Sequence, residues 1–233
     1  MGTYYNPRIV TDGLVLALDA GNAKSYPGSG TTWTDLSGRG NNGTLVNGPT
    51  YDSSNGGSIV LDGLNDFVST PRIQGTGNST SSVTWCVWTK PNDTDGNIMS
   101  MSSTDPQGGW NMPPIAAANS QFRGKIWSNS YLTSPTYTIG NWYYVCLIFN
   151  YNATTANAYQ RLYVNGEQVA EQTNITYSSS GVDNYLFFGQ ANPGADNTGY
   201  YAGNINIAQV YSRALTAAEI KQNFNATRGR YGI

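Results

Sequence analysis

The chain has 233 residues, a formal net charge of −2 and no histidine, which removes Ser-His-Asp and Cys-His catalysis and imidazole metal sites. Charged residues make up only 11%, against roughly 25% in ordinary soluble domains. No basic cluster lies beyond Arg228 and Arg230, so the footprint of a nucleic-acid binder is missing.

In chain order, residues 1–12 show no charged region followed by a long apolar run. Neither a secretory leader nor, anywhere in the chain, a membrane-inserted span is expected, and these residues are set apart as an N-terminal extension. The first strand is GLVLALDA, 13–20. A turn-rich stretch then leads to GRGNNG, 38–43, which fits G-x-G-x-x-G, a pattern that can hold a pyrophosphate. That use requires a strand before the glycines and a helix after them. Here Asn47-Gly48-Pro49 breaks the chain almost at once, so nucleotide binding is set aside and the glycines are read as supplying positive φ in a surface loop.

Short apolar or alternating runs follow: SIVLDG (58–63), DFVSTP (66–71), SVTWCVWTKP (82–91), NIMSMSS (97–103) and FRGKIWS (122–128). They continue with NWYYVCLIFN (141–150), AYQRLYVNG (158–166), NYLFFGQ (184–190) and GNINIAQVYS (203–212). Val83, Trp85 and Val87 share one face, as do Val145, Leu147 and Phe149, a period of two that predicts strands with one buried side. Asn165-Gly166 predicts a tight hairpin turn. Thr216 and Glu219 predict a capping box opening a short helix over LTAAEIKQNF. Many strands and one short helix make the fold all-β, a sandwich or a barrel, built as a single domain over 13–225 with a tail at 226–233. Cys86 and Cys146 lie mid-strand; they can pair if the two strands are neighbours, and free buried thiols are the simpler reading.

The order of these stretches resembles the laminin-G-like members of the concanavalin A-like lectin/glucanase superfamily. GLVLALDA with WTDLSGRGNNGTL is similar to that family's opening strand and D-x-S-G-x-G-N-x-G loop. SIVLDGLNDFV resembles its strand–DG–strand unit, and SVTWCVWTKP its central tryptophan strand, with Trp88 in the key position. NWYYVCLIFN, LYVNGEQV and GNINIAQVYSRALTAAEI resemble the later strands and closing helix. The ending NFNATRGRYGI resembles versions found in virion proteins of tailed bacteriophages. The resemblance implies a jelly-roll β-sandwich of two antiparallel sheets with one short C-terminal helix.

Three chemistries are weighed on this frame. Asp19, Asp35 and Asn42, with nearby carbonyls, are hard oxygen donors of the kind calcium takes, and the resemblance implies calcium around this loop. The family's closing strand often carries Asp-Glu where this chain has Asn206 and Ile207, and Asx-type turn capping by Asp35 and Ser37 is the structural alternative. Glycan binding needs aromatic faces beside polar groups, for which Trp110, Trp127, Tyr131, Tyr200 and Tyr201 are candidates. Trp85, Trp88 and Trp142 are assigned to packing. Glycosidase chemistry needs two carboxylates at a set separation, and the three glutamates, Glu167, Glu171 and Glu219, do not provide such a pair. The chain is therefore expected to be no enzyme.

The expected function is that of a non-catalytic virion surface protein of decoration or fibre type, assembled in the host cytoplasm. It would be multicopy or homo-oligomeric, bind host cell-surface glycans weakly, and contact other virion proteins through Arg228, Arg230 and Tyr231 of the tail. The alternatives are a purely structural virion protein and an extracellular adhesin domain of a bacterial surface.

Overall fold

The computed structural model describes residues 7–76, 81–102, 111–126, 129–151, 158–175, 184–190 and 199–233. In chain order the strands are β1 (Leu14–Asp19), β2 (Thr32–Trp33), β3 (Gly43–Val46), β4 (Thr50–Asp52), β5 (Ser58–Asp62) and β6 (Phe67–Ile73). Next come β7 (Val83–Pro91), β8 (Gly96–Ser102), β9 (Asn111–Ala118), β10 (Gln121–Gly124) and β11 (Leu132–Thr136). The last are β12 (Tyr143–Asn150), β13 (Tyr159–Val164), β14 (Glu167–Thr173), β15 (Asn184–Phe188) and β16 (Ala202–Tyr211), followed by helix α1 (Ala217–Thr227) and a 3-10 turn over Arg228–Tyr231.

Among the described residues these strands form two eight-stranded antiparallel sheets. The first runs β14-β13-β12-β7-β16-β5-β4, with β1 also paired to β16; the second runs β11-β10-β9-β8-β15-β6-β3-β2. One apolar core joins their facing sides, drawing Leu16, Trp85, Val87, Val145 and Leu147 from the first sheet and Val68, Met99, Ile115 and Leu186 from the second. The expected jelly-roll sandwich is the observed architecture.

The first sheet departs from the expectation of one buried side. Cys86 and Trp88 on β7, Tyr144, Cys146 and Ile148 on β12, and Ile207 and Tyr211 on β16 are also buried, in a second core on the outer face. Ile220 and Phe224 of α1, Val10 and Tyr231 complete that core. The capping box holds the helix start: Thr216 Oγ1 accepts from Glu219 N, and Glu219 reaches back to the Thr216 N–H. Val10 N donates to Asn223 Oδ1 at 2.7 Å and Tyr211 Oη to the Val10 carbonyl at 3.0 Å. Val10 of the N-terminal extension and Tyr231 of the tail therefore pack on this face.

Cys86 and Cys146 stand directly opposite each other on β7 and β12 and form a disulfide. This corrects the reading as free thiols, since the two strands are immediate neighbours in register. Trp85 and Trp88 are fully buried and Trp142 nearly so, which agrees with their packing role. At Asn165-Gly166 both residues have positive φ, 52° and 81°, closing the predicted β13–β14 hairpin.

Candidate functional site

The opening glycine loop runs from β2 to β3, and Gly38 and Gly40 take φ of 80° and 76°. Asp35 is its hub. Its Oδ1 accepts from Ala17 N at 2.8 Å and Ser37 N at 2.9 Å, and its Oδ2 from Ser37 Oγ at 2.7 Å and Asn41 N at 3.0 Å. Asn42 Oδ1 accepts from Asp35 N at 2.9 Å. Asp19 accepts both arms of the Arg230 guanidinium. The oxygens proposed for calcium are thus already engaged by protein donors, and among the described residues no three Asp, Glu or Cys side chains converge as metal ligands. The donor set does not fit a calcium site.

The aromatic candidates separate. Trp110 and Trp127 lie outside the described residues. Tyr201 is fully buried, and its Oη pairs with Thr89 Oγ1 at 2.6 Å. It belongs to the inter-sheet core and is withdrawn from any ligand face, because β16 begins at the next residue and directs this ring inward. Tyr200 is half-buried beside the start of β8. Tyr131 is half-buried at the start of β11, with Lys125 Nζ 4.2 Å from its ring centroid. The strands β8, β9 and β10 lie between these last two tyrosines, which puts them roughly 14 Å apart or more.

Around Tyr131 the β9–β10–β11 ribbon makes a polar, cationic patch on the outer face of the second sheet. Phe122 and Ile126 point into the core, so the alternate residues Gln121, Arg123 and Lys125 point out. Arg123 stands opposite Ala116 on β9 and Thr133 on β11. Gly124 brings the ribbon down onto the core: a Cβ there would sit 2.8 Å from Leu147 Cδ1 and 3.0 Å from the Pro114 carbonyl. Phe122 packs against Tyr137 and Tyr143 at centroid distances of 4.7 and 5.3 Å. Gln160, fully buried on β13, accepts from Ile126 N at 2.9 Å and donates to the Ser130 carbonyl at 2.8 Å. The patch therefore rests on a rigid base.

Its chemistry centres on Arg123. The side chain is half-buried, and Nε is enclosed without a hydrogen-bond partner. A buried donor left unpaired costs about 1–3 kcal/mol, more when charged. A guanidinium presents a planar fork that matches carboxylates and sulfate-like groups. From the sequence, FRGKIWS reads only as a strand. Its signal was two cations two residues apart, alternating with Phe122, Gly124 and Ile126 in a weakly charged chain.

The glutamates all engage cations. Glu167 pairs with Lys221, Glu171 with Arg161 at 2.7 Å, and Glu219 with Arg213 at 2.6 Å. Arg213 and the Thr216 cap hold the Glu219 carboxyl down at about 2. Of the tail residues assigned to an interface, Arg230 and Tyr231 are engaged within the chain and Arg228 is exposed.

A laminin-G-type family model, described as concanavalin A-like lectin/glucanases superfamily, matches residues 61–221. No curated protein matches the chain. Among solved structures, the binding domain of Paraclostridial Mosquitocidal Protein 1 is similar at 16% identity and a TM-score of 0.67, over 93% of this chain and 52% of that one. The receptor binding domain of botulinum neurotoxin D is similar at 15% identity and 0.64, over 92% and 52%. A Trypanosoma rangeli sialidase is similar at 14% identity and 0.65, over 92% and 33%. The chain thus spans about half or a third of the length of these structures, and at such identities the likeness is one of fold. With the family model covering most of the sandwich and both sheets in place, the chain belongs to the laminin-G-type family of the concanavalin A-like lectin/glucanases superfamily.

Proposed function

We propose that this domain is a non-catalytic lectin-like module that takes acidic glycans on the β9–β10–β11 ribbon. The observation that carries the reading is the half-buried Arg123, facing out of β10 opposite Thr133, beside the Lys125–Tyr131 cation–ring pair. The ring offers an apolar face to a pyranose, the two cations receive a carboxylate or sulfate, and Gln121 and Thr133 flank them. Two of the structural neighbours support it: one is a toxin receptor binding domain, and a T. rangeli sialidase was solved with sialic acid, an acidic sugar. The engagement of every glutamate in an ion pair supports a binding role over a hydrolytic one.

A single shallow patch binds weakly, and many copies on one particle raise the avidity without any new contact. The wider setting we propose is therefore a virion surface, which the resemblance of the tail suggests, with a cell-surface adhesin domain as the second reading. The disulfide favours an oxidising exterior, a condition that virion and cell surfaces share.

The test is binding to an array of neutral, sialylated, uronic-acid and sulfated oligosaccharides, followed by titration calorimetry. Acidic sugars should bind, and binding should weaken with added salt. Arg123→Ala and Tyr131→Ala should each reduce affinity about tenfold, matching the 1–3 kcal/mol of a charge-assisted hydrogen bond or a stacked ring. Equal binding of neutral and acidic sugars, or an unaffected Arg123→Ala variant, would remove the patch from consideration.

A further inference from the structure

We propose that Arg230 is a built-in cation, standing where a metal ion would otherwise balance Asp19, and that the domain therefore folds without calcium. The guanidinium meets the Asp19 carboxylate with both arms, Nη1 to Oδ1 at 2.6 Å and Nη2 to Oδ2 at 2.8 Å. Nη1 also lies 3.4 Å from Asn206 Oδ1, which accepts the Tyr231 hydroxyl at 2.7 Å. Three side-chain oxygens from two strands, at the end of β1 and in β16, thus surround one positive group delivered by the last turn of the chain. Three oxygens fall short of the six to eight that calcium takes, and here the positive charge is supplied covalently by the guanidinium.

Two independent features hold the guanidinium there. The first is Tyr231, whose ring stacks on Trp88 at 3.9 Å between centroids and lies 4.8 Å from Trp142. The Trp142 Nε1 donates to Asn55 Oδ1 at 3.2 Å, and Asn55 Nδ2 donates to the Arg230 carbonyl at the same distance. The second is Gly21. A Cβ at that position would sit 2.5 Å from the Gly56 carbonyl and 3.0 Å from Arg230 Nη1, so glycine is what lets the loop after β1 lie this close to the guanidinium. The departure noted in the sequence has its counterpart here. Asn206 is neutral, so Asp19 is the one carboxylate at the guanidinium, which suits a partner of charge one better than a divalent ion.

The protein's thermal midpoint should be the same in calcium and in chelator, because a site that bound calcium only in the folded state would raise it by mass action. Calorimetric titration with calcium chloride should give no binding heat. Arg230→Ala should lower the midpoint by on the order of 5 °C, and Arg230→Lys by less, since an ammonium supplies charge without the two-armed geometry. Asp19→Asn should lower it too, and the double variant Asp19→Asn/Arg230→Ala should be little worse than either single one. Stabilisation of the unmodified protein by calcium would overturn the proposal, and so would an Arg230→Ala variant as stable as the parent. Should Arg230→Ala fail to fold, the Arg230→Lys and Asp19→Asn pair and the calcium titration of the parent decide it.

Discussion

Single side chains in this domain change meaning with the direction they face. Tyr201 and Tyr200 are adjacent letters with the same ring, yet one is fully buried and the other half-buried, because successive residues of an extended chain point to opposite sides. Asp35 and Asp19 are both carboxylates beside turns, yet one accepts N–H and O–H groups of its own loop and of β1, while the other adds to the Gly21 N–H a guanidinium from the far end of the chain. Glu219 serves both functions at once, capping α1 and pairing with Arg213. Its carboxyl is held from an ordinary 4.5 down to about 2, first by Arg213 and then by the Thr216 groups. A depressed carboxylate contributes stability above its unfolded value, and that contribution is lost as pH falls from about 4.5 to about 2. Glu219→Gln should therefore cost about 1 kcal/mol at neutral pH through the lost cap and ion pair. It should also flatten that part of the acid limb. Urea unfolding of both proteins at neutral and acid pH checks it: the gap between them should close as the pH approaches 2.

At the scale of elements, alternation and turn chemistry were readable, while β9 and β11, with prolines inside them, were not. β7, β12 and β16 carry long runs of β-branched and aromatic residues, and each appeared at nearly its observed place. β9 and β11 were missed because Pro113, Pro114 and Pro135 argue against a central strand. The chain accommodates them with irregularities: the β8–β9 register slips near Met99, and β10–β11 between Gln121 and Arg123. The patch on β9–β11 was illegible for the same reason, since Arg123 and Tyr131 come together only once both missed strands are paired. The disulfide is likewise a property of pairing. It links β7 to β12 across 60 residues of chain, for which loop-closure entropy gives about 4 kcal/mol. Denatured, unreduced protein should show no titratable thiol, and a Cys86→Ala/Cys146→Ala double variant should unfold at lower urea by an amount near that figure. Two free thiols in the denatured protein would contradict the pairing.

Among the described residues the molecule has two cores, and its buried tyrosines report on both. Burial pushes the Tyr201 phenol up in the inter-sheet core and the Tyr144, Tyr211 and Tyr231 phenols up in the outer one. A phenol whose folded value lies above its unfolded one contributes stability that is intact below about pH 10 and is lost as the pH rises further. Alkaline titration should show the native protein with fewer phenolates than its 17 tyrosines allow, the remainder ionising together with the collapse of far-UV circular dichroism. Smooth ionisation of all tyrosines with the secondary structure intact would contradict this burial.

Legible in the order of residues were the strands with period-two patterning, the Asn165-Gly166 hairpin, the Thr216–Glu219 cap, the glycine loop and, through the order of its motifs, the superfamily. These depend on neighbours within a few residues, where backbone geometry and turn chemistry act directly. The tertiary structure alone decided that both faces of the first sheet are covered, that Cys86 meets Cys146, that Tyr201 turns inward, that Arg123 lies beside the Lys125–Tyr131 pair, and that Arg230 returns to Asp19 across 211 residues. Each of these is a contact between distant parts of the chain. It exists because closing two sheets over a common core fixes which side of each strand remains for the termini and the disulfide.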